Sequence, residues 1–236
     1  MKFIYNKASY HFSRILFERF SIPNIKNENI SKRILKKYLP KNPTIVDCGA
    51  HCGDDTVELA TILKGHVHAF EPVESIFQKL QLKSLPYKNI SCYQIALSDK
   101  CGKSIFYISE GQSDASSSLL EPLAHLEDHP DTYFTRTIEV DCLTLDEWAK
   151  INKINKIDML WLDMQGFEMN MLVKSKHIFN SVTLIHTEVS LKDTYKGVPH
   201  YKMFRAFLET KGFRVIYEAI PKGWDMGNVV FYKEQL

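Results

Sequence analysis

Several features that would narrow the class of this protein are missing from its sequence. The five cysteines (Cys48, Cys52, Cys92, Cys101 and Cys142) are odd in number and nowhere spaced as C-x-x-C. Neither a disulfide framework nor a zinc site is indicated, and a reducing, cytoplasmic setting fits best. No continuous apolar stretch resembles a membrane span or a signal peptide: MKFIYNKASYHFSRILFERF is broken every few residues by Lys, Arg, Ser or His. An excess of one charge is also absent. With 30 Lys and Arg against 28 Asp and Glu, the total charge calls for neither nucleic acid nor an acidic membrane as partner. There is no internal repeat and no low-complexity tract.

What is present is enough apolar material, 44% of 236 residues, for one sizeable core in the size range of a single α/β domain. The charges are unevenly spread: residues 1 to 40 carry nine Lys/Arg against Glu18 and Glu28, leaving 21 basic and 26 acidic residues for the rest. In that basic stretch apolar side chains recur at helical spacing (Tyr5, Ala8, Phe12, Ile15, Leu16, Phe20, then Ile30, Ile34, Leu35, Tyr38), with a break at Ser21-Ile22-Pro23-Asn24. The spacing predicts two basic amphipathic helices, which either pack on the domain over the mouth of its ligand site or lie on a membrane surface or a polyanion. The chain thus divides into an extension, 1–40, and a domain, 41–236, with Pro40 to Pro43 as the hinge.

From Thr44 onward, short apolar runs alternate with helical stretches, the pattern of strands buried on both faces by crossover helices. The runs are 44–46, 66–70, 90–96, 157–162, 182–186, 213–217 and 228–232. They predict a doubly wound α/β fold with a seven-stranded, mostly parallel sheet. Asp99-Lys100-Cys101-Gly102 is a turn signal leading to Ile105–Ile108, and Thr137–Val140 reads as another extended run, so an insertion of about 99–140 resembling a hairpin interrupts the alternation.

Two stretches carry the first chemistry. In Thr44-Ile45-Val46-Asp47-Cys48-Gly49-Ala50-His51-Cys52-Gly53-Asp54-Asp55-Thr56 a strand runs into a glycine turn and then a helix, where backbone can approach a ligand closely. The spacing Asp47-x-Gly49-x-x-x-Gly53 is not that of a dinucleotide site, and it places a carboxylate where a ligand ammonium would want one. In Val67-His68-Ala69-Phe70-Glu71-Pro72 a second strand ends in an acid suited to accept hydrogen bonds from both ribose hydroxyls. Read singly, the first is an ordinary strand-to-helix turn and Glu71 a helix N-terminal acid; together they point to a nucleoside-bearing cofactor.

The order VDCGAHCGDDT, VHAFEPVE, YQIALSD, VDCLTLDEW, IDMLWLDMQGFEMNML and LIHTEVS, over roughly residues 43 to 190, resembles the FkbM-type methyltransferase family. The resemblance implies a Rossmann-like class I methyltransferase fold and S-adenosylmethionine as cofactor. It implies that Asp47, Gly49, Ala50, His51, Gly53 and Thr56 gather at the cofactor's amino-acid end, that Glu71 and Pro72 lie at its ribose, and that Ala96 and Leu97 flank its adenine. His51 stands where the family more often shows asparagine.

Asp163 follows the fourth strand and Glu188 the fifth, so both carboxylates should open onto one crevice. Asp163, Glu188 and His186, which lies two residues before Glu188 on the same strand face, are the candidates for the base that a hydroxyl acceptor requires. Asp163 is otherwise a contact for the cofactor ammonium, Glu188 a hydrogen-bonding partner of the substrate, and His186 a satisfied structural histidine, which is the reading that residue favours. A metal held by Asp163 and Glu188 is an open alternative, but two carboxylates without further clustered ligands make a thin case, and the expectation is no metal. Gln165 and the serines Ser116, Ser117 and Ser118 are substrate candidates, the serines as part of a lid or as a solvated loop. Trp148, Trp161 and Phe167 either stack on a sugar or pack the core. The expected activity is O-methylation of a sugar, glycan or small-molecule hydroxyl. An RNA 2′-O-methyltransferase and a noncatalytic cofactor-binding partner are the alternatives; the acidic body argues against the first and the intact cofactor motif against the second.

Overall fold

A computed structural model describes residues 30–123 and 131–234. The first of the two N-terminal helices expected from the sequence lies outside the described residues. The second is present as a short helix, α1 (Lys32–Leu35), continued by a 3-10 turn, Lys36–Tyr38.

The seven apolar runs form one sheet. Strands β1 (Thr44–Cys48), β2 (His66–Phe70), β3 (Ile90–Tyr93), β7 (Met159–Leu162) and β8 (Leu184–Ser190) are parallel, while β10 (Met226–Tyr232) runs antiparallel between β8 and β9 (Arg214–Ala219). The spatial order is β3-β2-β1-β7-β8-β10-β9. Side chains alternate between the faces, and both faces are buried. Val46, Cys48, Phe70, Leu160 and Leu162 point to a core completed by α4 (Leu145–Ile151), α5 (Glu168–Lys174) and α6 (Tyr201–Thr210). Ile45, Val67, Met159 and Trp161 point to a second core with Ile30, Leu35, Leu59 and Leu63. Each fully buried Leu or Phe contributes on the order of 2 kcal/mol, so the two-sided pattern that identified the strands also stabilises them. Residues 30–39 therefore pack beneath the sheet, and none of residues 30–40 lines the strand-end cavity described below.

The insertion is a second sheet rather than a lone hairpin. Strand β5 (Gly102–Gly111) pairs antiparallel with β6 (Thr132–Leu143), and β4 (Ala96–Leu97) adds to β6 in parallel through Ala96↔Cys142 and Leu97↔Leu143. The run 90–96 is consequently split: a bend at Gln94 and Ile95 ends β3 and hands Ala96 to the second sheet. Apolarity continued across the bend, so the sequence alone did not mark it.

Candidate active site

The strand order reverses between β1 and β7, and in open α/β sheets the crevice beyond the carboxyl ends at that point is the ligand site. Gly49 makes the crevice possible. It has φ +83, its N–H donates to the Phe70 carbonyl at 3.2 Å, and a Cβ there would lie 1.9 Å from the Asp163 carbonyl oxygen. The Asp163 N–H donates to the Cys48 carbonyl at 2.9 Å, so the ends of β1, β2 and β7 are fastened together.

A cavity opens there, about 670 Å³ counted with its solvent-open mouth. Its walls are apolar: Val73 and Ile76 come from the start of α3 (Glu74–Ser84), Ile95 from the bend after β3, Ala96, Leu97, Phe106 and Leu119 from the inserted sheet and its loop, and Phe167 from the turn before α5. Glu71 is the buried charge facing it, 5% exposed. Burial pushes its carboxyl up to about 7, against the stabilising backbone N–H groups of Val73, at 2.8 Å, and His51. Across the mouth, His51 Nε2 stands 3.1 Å from Asp114 Oδ1 of the inserted sheet's loop, and Ala115 and Ser117 line the same wall. His51 has φ 47, a left-handed conformation that Asn and His tolerate better than most residues, which accounts for either side chain at this position.

Of the residues singled out from the sequence, Gly49, His51, Glu71, Pro72, Ala96, Leu97, Ser117 and Asp163 line the cavity. Asp47, Ala50, Gly53 and Thr56 stand behind it. Asp47 is 1% exposed and accepts a hydrogen bond from the Thr56 hydroxyl of α2 (Asp54–Glu58); desolvation pushes its carboxyl up to about 7. Ala50 packs with Ala69, Phe77 and Leu80, and a Cβ on Gly53 would meet Leu80 Cδ1 at 2.7 Å. These four residues shape the turn that presents the cavity wall.

Beside the cavity the second set converges. Gln165, in the left-handed region at φ 51, donates from Nε2 to Asp163 Oδ1 at 2.7 Å and to Glu188 Oε2 at 3.1 Å. The two carboxylates are thus bridged by one carboxamide. Asp163 is open to water at the mouth but enclosed by protein elsewhere; desolvation raises its carboxyl, and the Gln165 hydrogen bond partly offsets this. Glu168 holds the loop in place: its Oε1 accepts the N–H of Met164 at 2.8 Å and of Gly166 at 3.3 Å, and burial pushes its carboxyl up to about 7. Gly166, at φ +94, has no room for a Cβ, which would fall 2.8 Å from Val198 Cγ2. Ser118 Oγ donates to the Gln165 carbonyl at 2.9 Å, and the Tyr195 hydroxyl reaches the Ser116 carbonyl at 2.7 Å and Gln165 Oε1 at 3.2 Å.

His186 is not brought to this group. Its ring stacks on Trp161 with centroids 3.5 Å apart and planes 3° apart, and Lys32 Nζ lies 4.5 Å from the Trp161 ring centroid. Burial first, then the Lys32 charge, lower its pKa to about 3, so it stays a neutral imidazole and is poorly suited to accept a proton. Trp148 is likewise core, 1% exposed and edge-on to Phe70 and Tyr93. The T-L-D-E-W segment is a helix start: Thr144 accepts the Glu147 N–H, and Asp146 accepts the N–H groups of Lys176, His177 and Ile178. Sequence reading missed Asp114, Glu168 and Tyr195. Glu168 lay inside a quoted motif; Tyr195 sits in the polar 191–200 stretch, where nothing local distinguishes it.

Residues 47–215 match the model described as the methyltransferase FkbM domain. A 2-O-methyltransferase, NoeI, from Sinorhizobium fredii (strain NBRC 101917 / NGR234), is 26% identical over 214 residues, covering 88% of this chain and 86% of its own. The Methanococcus jannaschii fibrillarin pre-rRNA processing protein shares the fold at 17% identity and a TM-score of 0.50, over 84% of this chain and 70% of that one. A fibrillarin/Nop5p complex does so at 14% identity and a TM-score of 0.50, over 83% and 75%. The family match spans well over half of the chain, and the protein is a methyltransferase of the FkbM family.

Proposed function

We propose that the protein transfers a methyl group from S-adenosylmethionine to a hydroxyl of a sugar, glycan or small-molecule acceptor. The observation that carries this reading is the juxtaposition, at one strand-end crevice, of a buried carboxylate facing an apolar cavity with two bridged carboxylates beside it. The residues present fit the cofactor. Glu71 would accept hydrogen bonds from the ribose hydroxyls, the walls formed by Val73, Ile76, Ala96 and Phe106 would receive the adenine, and Asp163 would face the ammonium group. The 2-O-methyltransferase relative supports an oxygen acceptor, whereas the likeness to fibrillarin extends to the fold alone.

When bound, S-adenosylmethionine supplies a methyl group on a sulfonium centre, open to in-line displacement by an oxygen. The protein's part is positioning and proton transfer. Glu188 and Gln165 orient the acceptor hydroxyl, and Asp163, open to water at the mouth, takes the hydroxyl proton and passes it to solvent. Ser116, Ser117 and Ser118 belong to the loop that closes this side. Five free thiols support a cytoplasmic setting.

The test is calorimetric titration with S-adenosylmethionine and its demethylated product, followed by labelled-methyl transfer to a panel of glycosides. Glu71→Ala is expected to lose cofactor binding. Asp163→Asn is expected to lower transfer by about 100-fold or more, the usual scale of a general base. Folded wild-type protein that binds neither compound would overturn the reading.

A further inference from the structure

The wall of the cofactor cavity and the carboxylate pair come from distant parts of the chain, and one buried side chain touches both. Tyr195, 2% exposed, lies between β8 and α6. Its hydroxyl proton is shared between the Ser116 carbonyl, flanked by the cavity-lining Ala115 and Ser117, and Gln165 Oε1. The orientation of the Gln165 amide is not arbitrary: Asp163 and Glu188 are acceptors, so Nε2 must face them and Oε1 must face Tyr195. The surrounding backbone reinforces the junction. Leu123 N–H donates to the Thr194 carbonyl at 3.0 Å and Lys196 N–H to the Glu121 carbonyl at 2.8 Å, tying the end of the inserted loop to the Tyr195 segment. Burial keeps the phenol protonated, and hence a donor, throughout the neutral range.

We propose that Tyr195 is the positioning residue that couples the two halves of the site: ordering of residues 114–117 against bound cofactor fixes the Gln165 amide between Asp163 and Glu188. Because a coupling of this kind is reciprocal, an acceptor that engages the carboxylates also tightens the cofactor wall. This inference rests on the functional reading above.

The experiment is hydrogen–deuterium exchange on the full chain, with and without the demethylated cofactor product, together with calorimetry of that product. In the wild type, the product is expected to slow exchange both at 114–118 and at 164–168. Tyr195→Phe keeps the ring and its edge contact with Phe134, 6.3 Å between centroids, but removes the shared proton. It should retain slowing at 114–118, lose the transmitted slowing at 164–168, and bind the product about three- to tenfold more weakly, the scale of one or two hydrogen bonds. Ser118→Ala cuts the parallel bond to the Gln165 carbonyl and spares Tyr195, so transmission should persist. A purely structural tyrosine would change stability equally with and without product and leave the ligand-induced difference intact. Product binding by the wild type with transmission preserved in Tyr195→Phe, or abolished only in Ser118→Ala, overturns this inference alone. Absence of product binding by the wild type overturns the functional reading and this inference with it.

Discussion

Replacing Glu71 with glutamine should stabilise the cofactor-free protein and weaken cofactor binding at the same time. The carboxyl is almost fully buried and its pKa is raised from 4.5 to about 7, desolvation being the main cause. A carboxyl with a raised folded-state pKa binds protons more tightly folded than unfolded. Its contribution is therefore fully present below about 4.5 and is lost as pH rises through about 7. At about 1.4 kcal/mol per pKa unit, ionising Glu71 in the folded state costs about 3 kcal/mol by pH 8. Glutamine is nearly isosteric, keeps an oxygen for the Val73 N–H, and carries no such penalty. The variant should gain up to about 3 kcal/mol at pH 8 over the wild type, a rise of roughly 6–12 °C in Tm for a chain of this size. The gain should shrink as pH falls and vanish near 4.5. Cofactor affinity should drop about tenfold or more at pH 8, because ribose hydroxyls bond more strongly to a charged acceptor than to a neutral one. Denaturant melts from pH 4.5 to 8, with calorimetry of S-adenosylmethionine, measure both. A variant less stable than wild type at pH 8, or one that binds the cofactor equally well, would refute the assignment of Glu71 as a strained ribose acceptor.

Two further perturbations test the frame around the site. Gly49→Ala puts a methyl group 1.9 Å from the Asp163 carbonyl oxygen at a left-handed φ, so it should lower stability by about 3 kcal/mol and abolish cofactor binding; binding at wild-type strength would show that the strand ends are not locked as described. Lys32→Ala removes the cation held 2.6 Å from Asp55 and 2.9 Å from Glu58 and packed on Trp161. It should destabilise by about 2 kcal/mol, less than a fully buried pair because the carboxylates are partly exposed. Burial opposes the Lys32 charge, but Asp55 and Glu58 outweigh it and raise its pKa above 10.5. The difference from wild type should thus hold through neutral pH and disappear only in strong alkali; a denaturant series that shows it already fading at pH 8 would contradict the ion-pair account.

Much of this molecule follows from local pattern. Seven apolar runs became seven strands of one sheet, because strands buried on both faces read as continuous apolar segments. Gly49 and Glu71, together with Asp163 and Glu188, were legible because strand ends in such a sheet open on one crevice, so position along the chain already implies proximity. Other features depended on which segments meet. The reading of His186 as a base rested on its sharing a strand face with Glu188, yet that face carries it under the sheet against Trp161 and Lys32, contacts no spacing rule announces. Asp47, legible as a strand-end carboxylate, is buried behind the cavity wall with the hydroxyl of Thr56 from the first turn of α2 on it, a contact that its spacing did not announce. The seam from Ala96 to Cys142, which the bend at Gln94 and Ile95 makes possible, and the convergence of Tyr195 with Ser116 and Gln165 join residues tens of positions apart. The sequence by itself determined the strand-helix alternation and the crevice, since those depend on period and on strand ends. Only the tertiary structure decided which polar groups are spent on one another and which face the ligand, because hydrogen-bond partners are chosen by distance in space and not along the chain.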